Sequence, residues 1–258
     1  MGIFFEPYQE GRCCLCGSDD SLTGEHKIKA SALRKIFGKD SMVIGNFDGK
    51  STPRLAQGPK SRAFHFSARV CFLCNSTRTQ ATDREFDRFH VLVSSLLSQG
   101  KDPSLVFDFP QYTTGSEAYL NVFRYFSKLL CCHVAESCGP RPLEACNFAI
   151  GRAERNVVFL QIDADPTYKA YRNTLGEHKF AAHGGFIVPF NSNTQHPTSF
   201  RSSISLGAVR YRFWISFGVI VSTALRIFHN EFWRKCEAAY QEALRNPLSD
   251  EQRNRLGF

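Results

Sequence analysis

No apolar run in this 258-residue chain approaches the roughly 20 residues that a membrane-spanning helix needs. The longest, Phe213 to Leu225, covers 13 residues and is expected to be buried core. No membrane partner is expected. The opening Met-Gly-Ile-Phe-Phe-Glu-Pro has no basic leader, so no export signal is expected. No repeat or low-complexity segment interrupts the chain, which argues against a repeat architecture and against compositional disorder. Acidic residues are nearly missing from one stretch. Between Lys27 and Arg78 only Asp40 and Asp48 oppose eleven Lys and Arg, a surplus of nine in a chain of net charge +8. The rest of the molecule is therefore close to neutral, and the concentrated basic charge favours a polyanionic partner.

Hydrophobic residues make up 43% and aromatics 13%, including 24 Phe, enough for a packed core. Without an export signal, the ten cysteines point to a reducing compartment, the cytoplasm, and to metal-binding thiolates rather than disulfides. Four of them form two Cys-x-x-Cys pairs, Cys13/Cys16 and Cys71/Cys74. Each pair can chelate from one turn, and together they suit a tetrahedral Zn2+. Closing the 54 intervening residues costs entropy that grows only logarithmically with length. A structural zinc contributes on the order of 10–16 kcal/mol, as much as the whole stability of a domain, about 5–15 kcal/mol. Cys14 offers an alternative ligand, but Cys-x-x-Cys is the better chelate.

The expected elements are a strand over 22–28, a helical turn over 30–37 and a basic loop over 38–62 that has room for a hairpin. A strand over 63–70 and a helix from Asn75 to about Ser98 follow. There Phe86, Phe89, Val93 and Leu96 recur at helical spacing and Gly100 closes the helix. A second amphipathic helix is expected over 117–136, strands over 157–162, 185–190, 202–206 and 209–221, and a last helix over 228–245. The fold class is α+β: a zinc-stabilised domain over 1–105, then a mixed C-terminal α+β domain over 106–258.

Between the cysteine pairs stands Gly24-Glu25-His26-Lys27, and the second pair runs into Asn75. Cys-x-x-Cys, an acid followed by His, then Cys-x-x-Cys-Asn resembles the zinc-braced HNH endonucleases of the His-Me finger (ββα-metal) superfamily, over roughly residues 11–90. The resemblance implies that His26 is the general base. It implies that Glu25 and Asn75 hold a catalytic Mg2+ or Mn2+, and that the zinc is structural. Arg78, one helical turn after Asn75, is placed to hold a phosphate. Lys27, Lys29, Lys60, Arg62 and Arg69 are the candidate nucleic-acid contacts, with double-stranded DNA the expected partner. The family's middle Asn has no direct counterpart here. Its place falls at His65-Phe66-Ser67, and either His65 or Asn46 would have to stand in. The implied activity is hydrolysis of DNA phosphodiester bonds, in restriction or anti-phage defence. The second half would recognise substrate or assemble with a second copy or a partner subunit. A zinc-stabilised binding protein without cleavage activity is the alternative, and an effector nuclease activated by a partner is a third reading.

Three other features are expected to be structural. Gly176-Glu177-His178-Lys179 repeats the tetrapeptide without cysteines beside it. Cys131, Cys132, Cys138 and Cys146 read as small buried residues. Arg210 and Arg212 would share one face of a strand, with Tyr211 and Phe213 on the other.

Overall fold

The longest helices gather the aromatic side chains that the sequence supplies in excess. The computed structural model describes residues 3–38, 42–46, 54–56, 61–166, 168–169 and 180–250. Helix α2 (Gln80–Ser98) puts Phe86, Phe89, Val93 and Leu96 on one buried face. Gly100, at φ 70°, follows its end in a conformation that favours glycine. Helix α3 (Glu117–Glu136) starts where the Ser116 hydroxyl accepts the Tyr119 N–H at 3.1 Å, a side-chain N-cap. The two helices meet through Phe86 stacked on Tyr125, with centroids 4.0 Å apart.

The strands are β1 (Phe5–Glu6), β2 (Leu22–His26), β3 (Met42–Asn46), β4 (Arg54–Ala56), β5 (His65–Cys71) and β6 (Arg141–Pro142). They continue with β7 (Phe159–Ala164), β8 (Phe180–His183), β9 (Ser199–Leu206) and β10 (Val209–Ser216). Six of them form one sheet in the order β4-β3-β8-β9-β10-β7. In it β3 runs parallel to β8 and every other pair is antiparallel. Tyr211 and Phe213 of β10 turn inward and pack against Phe126 of α3. The other helices are α1 (Ala30–Phe37), α4 (Leu143–Ala149), α5 (Val219–Phe228) and α6 (Asn230–Arg245).

Two separate strand pairs complete the fold: β1 with β6, and β2 with β5. The expected hairpin in the basic segment is present, β3 pairing with β4 from Met42–Ala56 to Ile44–Arg54. Its parallel partner β8 ties that segment to the sheet of the second half. Packing thus bridges the boundary expected near residue 105, and one buried cluster contains Cys13, Phe86, Phe126 and Tyr211 together.

The differences from expectation have local causes. Over 185–190 there is no continuous strand, only single bridges of Ile187 to Arg201 and Phe190 to Pro197. Gly184 and Gly185 weaken the run, and Pro189 has no N–H to pair. The strand expected to reach Val221 stops at Ser216, and Gly218 precedes α5. The last helix, expected from 228, starts instead at Asn230, because His229, with φ −133° and ψ 47°, is not helical and separates it from α5. The helix expected from Asn75 begins as a wide π-helical turn, Leu73–Arg78. Thr79 separates that turn from α2, its hydroxyl donating to the Cys74 carbonyl at 3.0 Å.

His90 of α2 is buried, with Nδ1 2.8 Å from the Tyr211 hydroxyl. Burial lowers its pKa to about 4, whereas an unfolded histidine titrates near ~6.5. Between those values the unfolded chain takes up a proton that the native one refuses. Stability should therefore fall as pH drops from about 6.5 towards about 4. Urea unfolding of wild type and His90→Gln across that range is expected to show a shallower slope for the variant, and equal slopes would refute the assignment.

Candidate active site

The first cysteine pair lies in a tight turn. There Gly17 N–H donates to Cys13 O at 2.9 Å, and Cys13 N–H to Ser18 O at 2.7 Å. Gly17, at φ 80°, takes the left-handed conformation that this turn requires. Strand β5 delivers Cys71, and the π-helical turn after it delivers Cys74. The ligand sulfurs of Cys13, Cys16, Cys71 and Cys74 all lie within 4.8 Å of one another, and those of Cys16 and Cys71 are 3.5 Å apart. Sulfurs around tetrahedral zinc sit at about 3.8 Å from each other, given ~2.3 Å bonds. The four cysteines are thus positioned to bind a metal, and their donor chemistry suits zinc. The Cys74 thiol and the backbone N–H groups of Cys16, Cys71 and Leu15 hold the Cys13 thiol down to about 4, and the same contact pushes Cys74 up, so the pair shares a proton that a bound metal would displace.

Cys14 lies outside this cluster, its Sγ 3.5 Å from that of Cys132 on α3. Cys131 and Cys146 are similarly paired at 3.6 Å, and Cys138 is exposed.

Strand β2 runs antiparallel to β5, in register from Leu22–Cys71 through Gly24–Arg69 to His26–His65, with an irregularity between Gly24 and His26. The clamp closes one end of this pair and the two histidines close the other. Their rings lie 3.8 Å apart at 43°. His65, one of the two substitutes considered for the missing Asn, is thus the direct neighbour of His26. Asn46 lies instead on β3, in the six-stranded sheet. Burial, then the positive neighbours His65, Arg34 and Lys128, lowers His26 to about 4. Its imidazole is neutral at pH 7, and its buried Nε2 has no hydrogen-bond partner among the described residues.

Asn75 sits in the π-helical turn and reaches back across β2. Its Nδ2 donates to Thr23 Oγ1 at 3.0 Å and to Gly24 O at 3.2 Å. Glu25 turns inward. It is 8% exposed, and its Oε1 lies 3.2 Å from Lys128 Nζ, which also meets Asp83 Oδ1 at 2.7 Å. Lys128 is fully buried, and although burial opposes its charge, Glu25 and Asp83 outweigh that and raise its pKa. Desolvation raises the Glu25 pKa, with Lys128 pulling the other way.

The remaining predicted contacts divide. Arg78 Nη1 donates to Cys74 Sγ at 3.4 Å, so it serves the cysteine cluster. Lys27 is paired with Glu136 at 2.9 Å, and Lys29 with Asp87 at 2.6 Å. Lys29 also donates to the Asp83 carbonyl. Arg62 and Arg69 are exposed, whereas Lys60 and the second Gly-Glu-His-Lys lie outside the described residues. Arg210 and Arg212 share a face as expected and both bind Asp163, at 2.8 and 2.6 Å.

Lys128 and Asp83 were not anticipated. The available signal was a lone lysine amid Phe126, Leu129, Leu130, Cys131 and Cys132 on an apolar helix. A scan against protein-family models finds no match, and neither curated proteins nor solved structures give one. Among the described residues no helix is long and apolar enough to cross a membrane.

Metal analysis of purified protein is expected to find about one zinc per chain. Cys71→Ser should lose both the metal and the folded signal, and full zinc occupancy in that variant would refute the pairing. Lys128→Ala should destabilise by about 3–5 kcal/mol, because it strands buried Glu25 and half-buried Asp83. Adding Glu25→Gln should recover part of that loss. A loss below about 1 kcal/mol, the range of an exposed pair, would show that Lys128 does not hold the acids.

Proposed function

We propose that this chain is an HNH-type endonuclease that hydrolyses DNA phosphodiester bonds with Mg2+ or Mn2+. One observation carries the reading. His26 ends a strand with its buried Nε2 lacking a hydrogen-bond partner among the described residues, while Asn75, after the second cysteine pair, bonds to the residue preceding Glu25. The reading is supported by the contact of the strand that carries Glu25 and His26 with the helical turn that carries Asn75.

In this reading the zinc, closed by four thiolates, has no open position and takes no part in chemistry. Glu25 and Asn75 would hold the divalent cation, which stabilises charge on the scissile phosphate and its leaving oxygen. Such a cation commonly keeps several waters and needs only one or two carboxylates beside the phosphate. Neutral His26 accepts the proton of the attacking water. A pKa near 4 makes it a weak base, but an arriving phosphate anion favours the imidazolium and raises it. His65 packs against the ring, tilted at 43°, and limits its rotation. Exposed Arg62 and Arg69 supply phosphate contacts from beside the strand pair.

A specific observation favours the second reading, a zinc-stabilised DNA-binding protein without cleavage activity. Lys128 already neutralises Glu25 at 3.2 Å. The one cluster of three or more His, Cys, Asp or Glu ligands among the described residues is the cysteine set. The two readings separate in one assay. The first expects supercoiled plasmid to be nicked in Mg2+ or Mn2+, with His26→Ala slower by about a hundredfold or more and DNA binding retained. Equal rates would remove His26 as the base. Wild-type binding without cutting would establish the second reading.

A further inference from the structure

The outward face of the six-stranded sheet carries aromatic and basic side chains that neither reading of the site uses. Directly paired residues on neighbouring strands share a face. Trp214 pairs with Phe159 on one side and Arg201 on the other, and Arg201 is bridged to Ile187. Because Phe213 and Phe200 turn inward and are fully buried, their neighbours Trp214 and Arg201 turn outward. The Phe159 and Trp214 rings are stacked, 5.6 Å apart at 13°. The Arg201 guanidinium lies over the Trp214 ring at 5.8 Å, with its Nε donating to Ser199 Oγ at 2.8 Å.

A ladder that served only the sheet would be covered at its ends. Here Phe159 is 54% and Ile187 53% exposed. One row along, Arg212 and Arg210 share the carboxylate of Asp163, so together with Arg201 these described residues carry two more positive than negative charges. Phe159 also forms one wall of a cleft of about 500 Å³, together with Tyr119, Arg155 and Asn156. Arg155 is largely exposed, 3.7 Å from Glu144.

We propose that this sheet face is a stacking platform for single-stranded nucleic acid, with exposed Phe159, backed by Trp214, receiving a base and Arg201 and Arg212 the backbone. Flat, co-aligned aromatic rings accept the π-face of any base, and arginines beside them pair with phosphate. The adjoining cleft has the size for one nucleotide turned off the stack, with Asn156, Tyr119, Ser216 and the Arg155–Glu144 pair as its polar groups. Double-stranded DNA, whose bases are closed to such a surface, is left to the strand pair that carries His26. The platform needs no catalysis, so it stands or falls separately from the nuclease reading.

The test uses the full chain carrying His26→Ala and Trp233→Phe, which leaves Trp214 as its only tryptophan, with no Mg2+ or Mn2+ added. Zinc content and the thermal transition confirm that each variant is folded. An oligothymidylate of about twelve nucleotides is expected to quench Trp214 fluorescence saturably. Phe159→Ala and Arg201→Ala, both exposed positions, should each weaken that binding at least about fivefold while leaving duplex binding unchanged. Each of three outcomes would overturn the proposal: Trp214 emission unmoved by the oligonucleotide, equal quenching by polyphosphate (which has no bases) or by a proline-rich peptide, or both variants binding the oligonucleotide like the parent.

Discussion

Two turns 55 residues apart place their sulfurs within van der Waals reach, and much of the N-terminal half depends on that closure. The Cys13/Cys16 turn is held from several sides. Cys14 N–H donates to the Arg69 carbonyl at 2.9 Å. Arg141 clasps the Leu15 carbonyl at 2.7 Å and Glu6 at 2.6 Å. These bonds connect the turn to β5 and to β6, so the clamp is also seated on the second half of the chain. Four thiols this close compete for protons unless a cation takes their charge, which is why a metal belongs to the chemistry of this cluster.

The second organising element is electrostatic. Lys128 enters from α3 at a point where Glu25 of β2 and Asp83 of α2 converge, with the lysine fully buried, Glu25 nearly so and Asp83 half-buried. Removing the lysine charge leaves both carboxylates uncompensated in a medium that penalises them heavily, whereas removing one carboxylate leaves a balanced pair. The triad joins the histidine-bearing strand pair to both long helices. It also sets the electrostatics around His26, since Lys128 is one of the positive neighbours that keep that imidazole neutral. Whatever binds at His26 meets a neutral ring on a rigid base, with positive charge behind it.

Legibility in the sequence varied with the range of the interaction. The four cysteines could be read because their spacing within each turn is local chemistry. The faces of α2 and α3 could be read because burial repeats with the helical period. His65 was recognised as a place in the motif, yet its packing against His26 depends on β5 register. The fate of Lys27 and Lys29 could not be read. Both look like free basic side chains beside a motif, and both are neutralised by acids more than fifty residues away, Glu136 and Asp87. Arg78 likewise turns to a thiolate candidate rather than outward.

The sequence by itself determined which residues can bind metal, which segments are helical, and where the positive charge is concentrated. Those properties follow from side-chain chemistry and short-range periodicity. Only the tertiary structure decided that Glu25 is paired with a buried lysine, and that the basic insert adds β3 and β4 to a sheet of the second half. It also decided that Phe159, Trp214 and Arg201 form one row. Each of these depends on strand register or on the angle at which a helix crosses a strand. Such quantities are set by the whole core at once, and no local pattern of residues encodes them.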